Sequence, residues 1–158
     1  MAVNTDLIGR EFPPTAPYLV GREKVREFAR AVFADAPQHT DVEAARAAGY
    51  ADVVAPPTFA MVIQDLTLQQ LLALPDSGIV LARTIHAEQR FSYSRPIVAG
   101  DELVGQLRVT GIRTMAGNAL ITSEAEITDV DGAHVVTATS VLLVGDDGED
   151  DKEEEGTR

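Results

Sequence analysis

Imidazole is the side chain suited to moving protons near neutral pH. This chain has three, His39, His86 and His134, and no cysteine. The missing thiols exclude a disulfide framework, a cysteine zinc site and a thiolate nucleophile. His39 stands apart from the other two. It follows Asp35 by four residues, across Pro37, and directly precedes Thr40. A carboxylate beside an imidazole can orient or charge it, which is what general acid–base catalysis asks for. Loops carried on rigid elements are where such groups gather. The same residues also read as an ordinary bend, with Asp35 in the turn and His39 opening a helix. His134 follows Asp131-Gly132 and reads as a solvated hairpin residue. His86 falls on the polar parity of a strand and reads as a structural or surface residue. Asp65 sits within an apolar stretch. It reads as a polar contact in the core or at a dimer interface before it reads as a hydrolytic carboxylate.

The elements that must position these groups follow from periodicity. Pro13, Pro14 and Pro17 make the N-terminal stretch an extended lead-in. Val25, Phe28, Ala29 and Val32 recur at helical spacing, which predicts an amphipathic helix from Arg22 to Phe33. Thr40-Asp41-Val42-Glu43 has the form of a capping box for a second, short helix, and Gly49 suits its end. From Thr58 to Leu74 apolar residues nearly encircle the helical wheel. Such a helix is normally buried inside something. The pattern then switches to period two. Strands are predicted over Ile79–Ser94, with Gln89 interrupting the apolar parity, then Leu103–Ile112, Ala119–Thr128 and His134–Val144. Tight turns join them, Asp131-Gly132 being a strong hairpin signal. Short helices, one buried helix and an antiparallel meander make an α+β chain. A sheet wrapped around the helix, the hot-dog fold, is the simplest way to bury it. Its open face and sheet edges call for a dimer.

Composition narrows the partners. The chain has 158 residues, room for one domain, and a formal net charge of −12. That balance argues against nucleic acid or an anionic membrane as the main partner. Stacking platforms for single strands are also scarce, since aromatic residues make up 5% of the chain. No apolar run is long enough to cross a bilayer and no basic-then-apolar leader is visible, so the cytoplasm is the expected location. The charge is uneven. Residues 145–158 carry eight acids and two bases, half of the net charge. They read as a disordered acidic tail behind a domain spanning 1–144.

A resemblance now enters. Phe28 to Asp41, with Asp35-Ala36-Pro37-Gln38-His39, then Gly49-Tyr50 and Val54-Ala55-Pro56-Pro57-Thr58-Phe59, resembles the hydratase motif of the MaoC-like dehydratases. Phe91-Ser92-Tyr93-Ser94-Arg95-Pro96, running on to Gly100-Asp101, resembles the same family's strand with its closing turn. With Gly9-Arg10-Glu11-Phe12-Pro13-Pro14-Thr15-Ala16-Pro17, the chain is most similar to the substrate-binding subunit of heterodimeric (3R)-hydroxyacyl-ACP dehydratases. The resemblance implies reversible syn loss of water from a (3R)-hydroxyacyl thioester, with no metal or redox cofactor. The substrate would be an acyl-CoA or acyl-ACP thioester. The partner would be a second copy or a MaoC-like catalytic subunit.

Residue by residue, His39 falls on the family's catalytic histidine. The family's aspartate position falls on Ala34, one place before Asp35. The usual His-Gly before the buried helix is Pro56-Pro57, and Pro57 has no N–H for a thioester oxygen. Thr58 is the next donor, with Phe59 beside it. The candidate site is thus Asp35 and His39 for catalysis and Pro57, Thr58 and Phe59 for substrate. Three readings stay open. The chain is the acyl-binding subunit of a heterodimeric dehydratase, a catalytic homodimer with a shifted Asp/His dyad, or an acyl-thioester-binding hot-dog protein that does no chemistry.

Overall fold

The computed structural model describes residues 2–115 and 117–145. The acidic tail expected over 145–158 therefore lies, apart from Gly145, outside the described residues. The fold is α+β and hot-dog: a five-stranded antiparallel sheet curls around one long helix. The strands are β1 (Tyr18–Leu19), β2 (Thr84–Tyr93), β3 (Glu102–Met115), β4 (Asn118–Asp129) and β5 (His134–Val144), ordered β1-β3-β4-β5-β2. The helices are α1 (Arg22–Ala31), α2 (Val42–Ala47) and α3 (Ala60–Leu72).

The central helix α3 packs on β3, β4 and β5. It buries Ile63, Leu68 and Leu71 against Leu103, Leu107, Ile121, Ile127 and Val136. Those strand residues alternate with exposed Gln106, Arg108, Glu124 and Glu126, so the period of two selects the face that meets the helix. The approach is close at Gly105. A Cβ there would lie 2.8 Å from Thr67 Cγ2 and 3.0 Å from Ile63 Cγ2. Asp65 proves to be exposed rather than a core residue, and it accepts a hydrogen bond from Gln69 Nε2 at 2.8 Å.

The parity break at Gln89 has a partner on the helix. Gln64 is fully buried; its Nε2 donates to the Ala138 carbonyl at 3.3 Å, and its Oε1 accepts from Gln89 Nε2 at 2.8 Å. A buried amide without partners is costly, so the two glutamines satisfy each other.

Several boundaries differ from the sequence pattern, β3 for instance running on to Met115, and three of them have a clear physical reason. The first helix ends at Ala31, not Phe33. Phe33 takes φ +57°, while Ala34 N–H donates to Ala29 O and Phe33 N–H to Arg30 O. This is a Schellman ending with Phe33 where glycine is usual. The cap of α2 is Asp41, which accepts from Ala44 N–H at 2.9 Å, while the Thr40 hydroxyl turns back to the Pro37 carbonyl. And β2 begins at Thr84 rather than Ile79. Its ladder with β5 runs out at Thr84–Val144, and Leu81–Arg83 form a 3₁₀ turn.

The two edges of the sheet are unlike. Beyond β1, the N-terminal lead-in lies along β3. Gly9 N–H donates to Val109 O, Phe12 N–H to Leu107 O and Thr15 N–H to Gly105 O, so this edge is sealed by the chain's own backbone. At the other edge, β2 has β5 on one side only among the described residues. It carries Ile85 at 62% exposure and a bulge between His86 and Glu88.

Candidate functional site

His39 closes a single 3₁₀ turn, Pro37–His39, between α1 and α2. Pro37 starts the turn, where its missing N–H has no partner to lose. Arg26 Nε holds the far side of the turn by donating to Thr40 O at 2.8 Å. The facing segment, Val53–Ala55, is stapled from both directions. Ala55 N–H donates to Ile97 O at 2.8 Å and Ala99 N–H donates to Val53 O at 3.0 Å. Arg22 adds an ion pair to Asp52 at 2.7 Å and holds that carboxyl below its ordinary range.

These staples fix the ring of His39. Its Nδ1 lies 2.7 Å from the Val54 carbonyl, and Val54 N–H returns a bond to Gln38 O at 3.1 Å. A carbonyl only accepts, so Nδ1 carries the hydrogen. The neutral ring then keeps its lone pair on Nε2, ready to take a proton.

His39 faces a cleft of about 470 Å³ whose walls include Tyr50, Val54, Ala55, Pro57, Tyr93 and Ile97. Tyr93 closes it against the helix start. Its hydroxyl donates to the Pro57 carbonyl, and burial pushes the phenol up to about 12, against a smaller opposing pull from the Ala60 amide. Arg95, also in the wall, is committed. Nη1 donates to Asp101 Oδ2 at 2.8 Å, Nη2 lies 3.7 Å from Asp129 Oδ2, and the Asp101 hydrogen bond raises the guanidinium pKa further.

The five candidate residues separate. His39 and Pro57 line the cleft. Phe59 is fully buried, off the cleft wall, and meets Phe28 edge-on at 5.3 Å. Thr58 is exposed at the helix start, the first position of the Pro57–Phe59 turn with an amide to offer. Asp35 is exposed and is not among the residues lining the cleft. The Schellman ending at Phe33 turns the chain before Asp35 is reached.

Sequence reasoning passed over Tyr50, Tyr93 and Ser94 as cleft residues, although all three lie inside the quoted motifs. It also read His134 as solvated. His134 is half-buried, with Nδ1 at 2.5 Å from Ser94 Oγ and Nε2 at 2.8 Å from Thr137 Oγ1. The signal was present in the strand pattern, since Ser94 is the last residue of the alternating run and meets the first residue of β5.

A family model described as "FAS1-like, dehydratase domain region" matches residues 6–138, the whole frame that carries this cleft. The chain belongs to that family. Its relatives include a UPF0336 protein of Clavibacter michiganensis, 62% identical over 148 residues, which cover 93% of this chain and 99% of that one. A UPF0336 protein of Streptomyces coelicolor is 47% identical, over 90% and 95% of the two chains. Among solved structures, a (3R)-hydroxyacyl-ACP dehydratase complex from Mycobacterium tuberculosis, HadBC, aligns with TM-score 0.78 and 33% identity, covering 88% of this chain and 98% of that one. A MaoC-like dehydratase aligns with TM-score 0.79 and 38% identity, covering 89% of this chain and 42% of the other. The likeness to these structures accounts for the hot-dog frame.

Proposed function

We propose that this family member is a (3R)-hydroxyacyl thioester dehydratase or enoyl hydratase-type protein of fatty-acid metabolism, acting as the acyl-binding subunit beside a second hot-dog chain. The observation that carries the reading is the incompleteness of an otherwise ordered cleft. His39 is held with Nε2 free, while Asp35 stands outside and Pro57 offers no amide. Losing a positioned acid–base partner costs roughly 10²–10⁴ in rate. Losing one oxyanion donor costs roughly 10²–10³. A cleft with both changes retains its use as a mould for an acyl thioester. The similarity to a two-protein dehydratase complex and the open β2 edge both support a partner that completes the chemistry.

The test is reconstitution. The purified chain should hydrate crotonyl-CoA and longer enoyl-CoA thioesters slowly. Co-expression with a MaoC-like chain that keeps the full Asp-x-x-x-x-His pattern should raise the rate by about 10² or more. A complex that assembles and stays as slow as the isolated chain overturns the proposal.

A further inference from the structure

The cleft contains a second proton-handling group, one to which the quoted motifs assign no role. Besides His39, the wall residues with transferable protons are Tyr50, Tyr93, Ser94 and Arg95. Two of them are committed elsewhere. The Tyr93 hydroxyl is bonded to Pro57 O and its phenol is pushed up to about 12, and Arg95 is bound to Asp101 and Asp129. Ser94 differs, because its hydroxyl leads out of the cleft into an imidazole. Ser94 Oγ lies 2.5 Å from His134 Nδ1, and His134 Nε2 lies 2.8 Å from Thr137 Oγ1. Both partners of the ring are hydroxyls, which can accept as well as donate. The ring is therefore hydrogen-bonded on both nitrogens whether it is neutral or an imidazolium.

The backbone holds this pair in place. Ser94 N–H donates to Val135 O at 2.8 Å, which ties the end of β2 to the start of β5. The charged groups around it are Arg95, next to Ser94 and paired with Asp101 and Asp129, and Glu126, opposite Thr137 in the β4–β5 register.

We infer that Ser94 is a catalytic residue of this chain, standing in for the carboxylate that Asp35 does not bring to the cleft, and that His134 is the positioning residue that supplies its proton. The inference rests on the dehydratase reading. In the dehydration direction, His39 Nε2 takes the proton from the α carbon and the electron pair forms the C=C bond. The β C–O bond breaks, and the departing hydroxide takes the Ser94 Oγ proton. His134, entering the step as the imidazolium with Nε2–H on Thr137 Oγ1, replaces that proton from Nδ1–H and is left as the neutral ring. One water leaves, His39 ends with one proton more and His134 with one fewer. No redox partner is needed. Hydration runs the same steps backwards.

The slow turnover of the isolated chain thus passes through Ser94. With crotonyl-CoA as the probe, Ser94→Ala should lower kcat by about 10² or more while KM changes less than about twofold. Ser94→Thr should restore part of the rate, which separates the hydroxyl from the fold. Asp35→Ala should keep the wild-type rate. His134→Gln should remove one of the two ionisations in the pH profile of kcat, a change that loss of packing alone does not produce. A Ser94→Ala chain that melts normally and keeps its rate overturns the inference. So does a rate loss that follows Tyr50→Phe and spares Ser94→Ala, or a wild-type chain that binds decanoyl-CoA but turns over no crotonyl-CoA. Failure to bind any acyl-CoA, alone or with the partner chain, would instead remove the dehydratase reading itself.

Discussion

Proton traffic in this cleft depends on which hydroxyls are free to move, and Tyr93 is one that is not. Its phenol bridges β2 to the helix start and is held in the neutral form by burial, at about 12 against an ordinary 10.0. A folded-state pKa above the unfolded value means that the native chain keeps a proton the unfolded chain releases. The stabilising contribution is therefore complete below about pH 10 and is lost as pH rises toward 12. Tyr93→Phe removes the Pro57 bond and should cost about 1 kcal/mol at pH 8. The gap to wild type should narrow above pH 10, because the variant has no Tyr93 proton to lose. Urea melts across pH 8 to 11 read both effects, and a gap that widens with pH contradicts this assignment. The residue scale is also where sequence reading fell short. His39 could be found because proline, histidine and a capping pattern sit together in sequence. The Ser94–His134 contact joins residues forty apart. It exists only because β2 and β5 pair in one register, and no local spacing encodes that.

Elements were legible where periodicity is strong. The buried helix and the meander follow from apolar patterns that only one face of a sheet can satisfy. Gln89 reads as a flaw along the strand, and its meaning appears only when Gln64 is placed opposite. Helix ends were harder, and the end of α1 decides the site. Pattern alone carries α1 to Phe33, an apolar residue where a helix-stopping glycine would have been visible. The chain stops there in the left-handed region with the ring 85% exposed. A bulky side chain in that region costs about 1–2 kcal/mol relative to glycine, and the exposed ring returns little by burial. Phe33→Gly should therefore raise stability by about 1 kcal/mol, offset in part by the greater freedom glycine gives the unfolded chain. The Schellman bonds should persist, so Asp35 stays outside the cleft and crotonyl-CoA turnover is unchanged. Thermal melts and the hydration assay check the two halves separately. A destabilised variant would show that Phe33 makes a contact in the assembled protein that replaces the missing burial.

That possibility belongs to the whole molecule, whose two sheet edges are treated differently. One is covered by a proline-bearing strap from the N-terminus, and the other, among the described residues, presents an open strand. Unpaired edges are normally blunted by charge, proline or cover. Here β2 keeps Ile85 exposed at 62%, with exposed Leu81 just before the strand. Cover by another chain would reconcile an apolar edge with a stable fold, and a second hot-dog sheet docked on β2 would supply it. Ile85→Lys places a charge at that edge without touching the core, the cleft or the His39 turn. Sedimentation should show the wild-type chain, alone or with a co-expressed MaoC-like chain, as a dimer, and the variant shifted toward monomers by about tenfold or more in Kd, each tenfold being about 1.4 kcal/mol. The melting temperature of the variant should become independent of protein concentration as the linked association is lost. If Ile85→Lys sediments as the wild type does, the chains meet elsewhere and the exposed apolar side chains of β2 and its lead-in need another explanation.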